Sequence, residues 1–186
     1  MSKVLSWNDL QQILLTAAPI VALLIAWSGL NTWKRQLKGT HDFELSRRLL
    51  LTLYKCRDAL KSARNSFLQP GESDKDRNDW EASAYENRWK VVSEAMSELR
   101  VTTLESEASW GEDFYEEADG LHKLTVKLML AIRHYLASQQ KGPNSKLFSE
   151  KDEKALWGTE NDEYEKELNT VVEAFEKKIK PKLGRK

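Results

Sequence analysis

Residues 13–30 (ILLTAAPIVALLIAWSGL) carry no charge at all, and the basic stretch NTWKRQLK comes directly after them. A bilayer core of roughly 30 Å is crossed by about 20 residues of helix. Adding the uncharged polar Gln11, Gln12, Asn31 and Thr32 extends the stretch to 10–33, and no ionisable side chain lies between Asp9 and Lys34. Such a segment spans a membrane, is removed as a signal peptide, or is buried as a core helix. A signal peptide has an apolar core of about 7–15 residues and a small-x-small cleavage site. Ala26-Trp27-Ser28 is the nearest such site, but this run is longer, and Lys34, Arg35 and Lys38 oppose translocation of the chain beyond them. Only Lys3 and the α-amino group, offset by Asp9, stand on the other side. The expectation is therefore a single transmembrane helix, N-terminus outside and C-terminus in the cytoplasm. Trp7, Trp27 and Trp33 suit headgroup positions. Pro19 and Gly29 are tolerated in a membrane helix.

The remainder reads as water-soluble. Lys plus Arg and Asp plus Glu each number 29, and setting Lys3 and Asp9 aside leaves the rest just as balanced. A nucleic-acid binder normally has a strongly basic footprint, so no nucleic acid is expected as a partner. The one cysteine, Cys56, excludes an internal disulfide and suits a reducing compartment. About 150 residues suffice for one domain with its own core. With 8 Gly and 4 Pro in the chain and abundant Glu, Lys, Leu and Ala, helix is favoured over sheet.

Apolar residues recur at helical spacing in four segments. The first is Leu49, Leu53, Cys56, Leu60, Ala63 and Phe67. The second is Tyr85, Trp89, Val92, Met96, Leu99 and Thr103. The third is Leu121, Leu124, Leu128, Ala131 and Tyr135, and the fourth is Tyr164, Leu168, Val172, Phe175 and Ile179. Each stripe must face another to be buried. Leu50, Tyr54, Leu130, Ile132 and Leu136 widen the faces toward a globular bundle rather than a two-stranded coiled coil. The breaks agree: Gly39-Thr40 after the span, a polar loop over 69–79 with Asn78 or Asp79 capping a helix that opens at Trp80, Gly142-Pro143, and Pro181. A short helix over 150–156 is expected within the irregular 141–160 stretch. Gly111 leaves open whether 79–140 holds one long kinked helix or separate ones. The fold class is thus all-α, one transmembrane helix followed by an antiparallel bundle of about four helices. The expected division is 1–9 outside, 10–33 in the membrane, 34–180 a cytoplasmic bundle and 181–186 a basic tail.

Motifs for chemistry are sparse. His41, His122 and His134 are too scattered for zinc. Asp119-Gly120-Leu121-His122 is the nearest approach to a di-iron half-site, which needs Glu-x-x-His from two helices. Phosphate-loop, dinucleotide and zincin signatures are missing, and Cys56 on an apolar stripe reads as a buried thiol. No catalytic residue, metal or cofactor is expected. Arg35 and His41, five residues between them, resemble over seven residues the Arg-x-His pair of helical-bundle ribonucleases of the HEPN type, with Gln36 as the polar residue after Arg. Gly39 and the adjacent membrane count against that reading.

Two surfaces stand out. Lys177, Lys178, Lys180, Lys182, Arg185 and Lys186 crowd the last ten residues, and with Lys34, Arg35 and Lys38 they are candidates for contact with anionic lipid. The competing reading is a helix C-terminus complemented by cations. Trp80, Trp110 and Trp157 sit at helix ends or breaks, where exposed indoles would mark a partner surface and buried ones would plug the bundle. Arg57, Asp58, Arg64 and Arg88 would mark a ligand site if gathered in an open pocket, and structural ion pairs if buried; burial is expected.

The segments WKRQLKG, FELSRRLL, YKCRDALKSARNSF, EASWG and IRHYL resemble a group of small bacterial single-span membrane proteins with a helical cytoplasmic domain and no assigned activity. The resemblance implies a bacterial inner-membrane location and transfers no catalytic residues. The function expected is a membrane-tethered, non-catalytic scaffold or adaptor domain whose partner is another protein or a second copy. The alternative is a membrane-anchored nuclease or other effector of HEPN-like type.

Overall fold

The computed structural model describes residues 7–64, 74–111, 113–141, 147–158 and 162–183, the side chains of 7–10, 12–14, 74–79 and 140–141 excepted. Every regular element among them is an α-helix: α1 (Trp7–Ala63), α2 (Asp74–Trp110), α3 (Tyr115–Lys141), α4 (Glu150–Leu156) and α5 (Glu163–Leu183). The contacts divide the chain into two units, Met1–Asp42 and Phe43–Arg185. α1 contributes 7–42 to the first and 43–63 to the second.

The described residues 7–42 of the first unit are one continuous helix. Gly39 and Thr40 do not end it, contrary to the sequence expectation. One glycine costs about 1 kcal/mol relative to alanine, too little to stop a helix continued on both sides by good formers. Pro19 is likewise accommodated within α1. Among the described residues α1 alone is long and apolar enough to cross a membrane, and none of its most apolar 18-residue window is buried.

The second unit has one apolar core. Leu49, Leu53 and Leu60 of α1 meet Tyr85, Val92 and Leu99 of α2, Leu121 and Leu128 of α3, Leu156 of α4, and Leu168, Val172, Phe175 and Ile179 of α5. Leu156 apart, these are stripe positions from all four segments; Phe67 lies outside the described residues. Leu130 alone among the widening residues points outward, 42 % exposed. Ion pairs and hydrogen bonds fix how the helices face each other. Arg48 pairs with Glu105, and Lys55 with Glu98 at 3.1 Å, so residue numbers rise along α1 as they fall along α2. The Thr125 hydroxyl reaches the Met96 sulfur, and the Tyr135 hydroxyl donates to Glu81. Lys127 pairs with Glu167 and Lys178 with Glu117. Tyr54 donates to Glu176 while Lys61 pairs with Glu165. The α2/α3, α3/α5 and α1/α5 pairs thus run in opposite senses too.

Several boundaries differ from the sequence expectation. α2 opens at Asp74, six residues before Trp80, so part of the 69–79 stretch is helix. α2 and α3 are separate helices, joined through Gly111, whose φ of 68° is the left-handed conformation that glycine adopts freely. Pro181 does not stop α5, which continues to Leu183; in the last turn its missing N–H removes a single helical bond. Gly142-Pro143 lies outside the described residues. α4 covers 150–156 as expected, opened by a capping box in which the Ser149 hydroxyl accepts from the Asp152 N–H and the Asp152 carboxylate accepts from the Ser149 N–H.

Candidate functional site

Along the apolar part of α1 the large side chains stand open: Leu15 is 75 % exposed, Leu23 71 %, Ile25 67 % and Trp27 69 %. Trp33, Lys34, Arg35 and Lys38 continue the same exposed helix. The Trp7 side chain lies outside the described set. Because α1 is unbroken, Arg35 and His41 share one helix, and the expected interruption at Gly39 is absent. Six residues along a helix place them about 9 Å apart in rise and about 120° apart around the axis, on different faces.

The four charged residues considered as a ligand site are not gathered together. Arg57 pairs with its neighbour Asp58 at 2.8 Å and lies over the Tyr54 ring at 4.9 Å. Arg88 stands 6.0 Å from the centroid of Tyr85. Arg64 is buried, its side chain 8 % exposed. Its Nε donates to the Ala155 carbonyl at 2.7 Å, and its Nη2 donates to the Lys154 carbonyl at 3.1 Å and to Asp162. Tyr164 closes over the guanidinium at 4.3 Å. A cation at the last carbonyls of α4 complements that helix end. Burial works against ionisation of Asp162, but the Arg64 hydrogen bond, the Glu165 N–H and the Arg64 charge outweigh it and hold the carboxyl below its usual range. This is a fastener joining the end of α1 to the α4–α5 connection.

The tryptophans part company. Trp157 packs edge-on against Tyr135 (4.9 Å) and Phe148 (5.2 Å), and its indole N–H points at the Tyr85 hydroxyl. Trp110 packs beside Phe114 at 6.0 Å, with the Lys182 ammonium 5.7 Å from its ring. Both join the core from its edge. Trp80 is 38 % exposed.

The described C-terminal cations differ in their surroundings. Lys182 is 7 % exposed and belongs to the interior. Lys178 pairs with Glu117 at 2.7 Å, donates to the Asp113 carbonyl at 3.0 Å and lies over Phe114. Lys180 pairs with Glu176. Lys177 is exposed, whereas Arg185 and Lys186 lie outside the described residues. Of the four described cations, Lys178, Lys180 and Lys182 thus have partners within the fold.

Cys56 is buried, and desolvation with help from the Glu98 charge pushes its thiol up to about 12, far from a reactive thiolate. His122 is exposed, and Asp119 pairs with Lys123 at 2.6 Å. Among the described residues no group of three or more His, Cys, Asp or Glu is placed to hold a metal ion. Burial in an ion pair, expected of all four charged residues, holds for Arg64, whereas Asp58 is exposed; sequence reasoning missed Arg64's partners and the contact of His134 Nδ1 with Asp152 at 3.1 Å, since apolar spacing carries no information on them. No protein-family model, curated protein or solved structure matches this chain.

Proposed function

We propose that this chain is a membrane-tethered, non-catalytic helical interaction module of a bacterial inner membrane. One span holds it, N-terminus outside, and an antiparallel four-helix bundle of α1, α2, α3 and α5, capped by α4, stands in the cytoplasm. The observation that carries the tether is the bare apolar helix from Leu15 to Trp33, whose large side chains are more than half exposed. Leaving that surface in water would forgo about 25 cal/mol for each Å² of apolar area, which a lipid core recovers. The opposite senses of the four helix pairs support the antiparallel bundle. Lys34, Arg35 and Lys38 support the orientation. Dispersal of Arg57, Arg64 and Arg88 into separate structural contacts supports an interaction role over an active site. The test is extraction: membranes of cells expressing the full chain are washed at alkaline pH. Retention in the pellet until detergent is added is the expected result, and release by the wash overturns the tether.

A further inference from the structure

The outer side of the α1–α2 pair combines exposed apolar residues with two rows of opposite charge. On α1, Glu44, Arg48, Leu51 and Lys55 recur at helical spacing, and on α2 so do Val91, Glu94, Glu98, Val101 and Glu105. Leu51 is 49 % exposed, Val91 56 %, Val101 65 % and Leu104 57 %. Leu51 lies between Arg48 and Lys55, and Val101 lies between the two glutamates that pair with them. An apolar centre is thereby framed by cations along one helix and anions along the other. All four framing side chains keep roughly half their surface in water, so they retain the capacity to meet further charges.

We propose that a second copy of this chain docks on this face, about a two-fold axis running parallel to the helices along the α1–α2 seam. That operation lays α1 of one copy over α2 of the other at the same height. Arg48 and Lys55 of each copy then meet Glu105 and Glu98 of its partner, and Leu51 meets Val101, an isologous contact complementary in both charge and apolarity. An axis parallel to the helices leaves α1 pointing the same way in both copies, as two chains inserted in one membrane require. From Glu44 to Ser62 the face is about 27 Å long. Across two helices it offers on the order of 500 Å², less than the roughly 800 Å² per partner of a standard interface. Confinement of both copies to one bilayer supplies the missing effective concentration, so this inference rests on the tethered reading.

Directed cross-linking of the full chain in its membrane tests it. Two differently tagged chains, one L51C and the other V101C, are co-expressed and oxidised; buried Cys56 stays out of the reaction. The expected product is the mixed 51–101 disulfide. Pairs of L51C chains should link poorly, because the two-fold axis sets equivalent helices more than about 10 Å apart, beyond disulfide reach. R48E with K55E should lower the mixed product at least about tenfold, and E98K with E105K added to the same chains should restore it. Mixed product no stronger than with L130C, an exposed position on α3, or undiminished by charge reversal, overturns the proposal. The alkaline wash reads the tether separately; if the chain leaves the membrane, the soluble fraction is oxidised under the same criteria.

Discussion

Arg64 ties the end of α1 to residues 154–162, and Gly158 makes room for it. A Cβ at Gly158 would lie 1.2 Å from Asp162 Oδ2 and 2.0 Å from Arg64 Nη2, so any larger residue must displace the ion pair. Both atoms end movable side chains, and the cost lies in the separated charges rather than in backbone strain. Gly158→Ala should therefore lower stability by about 1–3 kcal/mol, and Arg64→Met by about 3–5 kcal/mol, as when one member of a buried pair is lost; chemical denaturation of the full chain in detergent measures both. If Gly158→Ala acts only through the pair, its effect should vanish in the Arg64→Met background. The pH dependence has a definite sign. Asp162 ionises below its ordinary value of 3.8 in the fold, so its contribution is complete above that value and is lost as pH falls through the lower folded one. Asp162→Asn should flatten that acid limb. Leu53 and Leu128, fully buried, were legible as stripe positions from spacing alone, and Leu53→Ala should cost about 2–5 kcal/mol. Arg64 was not legible in that way, because its partners sit some 90 residues further along the chain and spacing carries no such information.

At the scale of elements, the cations of α5 serve the fold as well as its charge. Six cations in ten residues suggest a lipid-seeking tail, yet Lys178 and Lys182, one turn apart, clasp the turn between α2 and α3 through Glu117, the Asp113 carbonyl and the rings of Phe114 and Trp110. Lys182→Ala should cost about 1 kcal/mol through lost cation–π contact and stem packing, while exposed Lys177→Ala should be near neutral; thermal unfolding of the two variants separates the roles. Deleting 181–186 removes the Lys182 half of this clasp along with charge, so a truncated tail tests stability as much as lipid binding. Helix interiors were legible throughout, since a stripe repeats over many turns. Helix ends were not, because they hang on single residues: Gly39, Asp74 and Pro181 each belong to helices that neighbouring contacts and good helix formers carry past the local signal.

For the whole molecule, the tethered reading proposed above makes the apolar stretch and its flanking charges decide which side of a membrane the second unit occupies. The apolar length was legible because no ionisable residue interrupts it from Leu10 to Trp33. The proposed orientation rests on the short flanks: Lys34, Arg35 and Lys38 against Lys3 and the α-amino group, with Asp9 contributing little. A reporter active only in the cytoplasm should therefore work when fused after Lys186 and fail at the N-terminus. Replacing Lys34, Arg35 and Lys38 with Gln removes the bias without touching the bundle, since all three are exposed on the first unit. That variant should give a mixed population, active and inactive, in comparable amounts. Adding three lysines before Leu10 to it should drive the C-terminal reporter to the inactive side. Full activity of the C-terminal fusion in every variant would mean that the long bundle, not the flanking charge, dictates orientation, since large domains obey the charge rule only weakly.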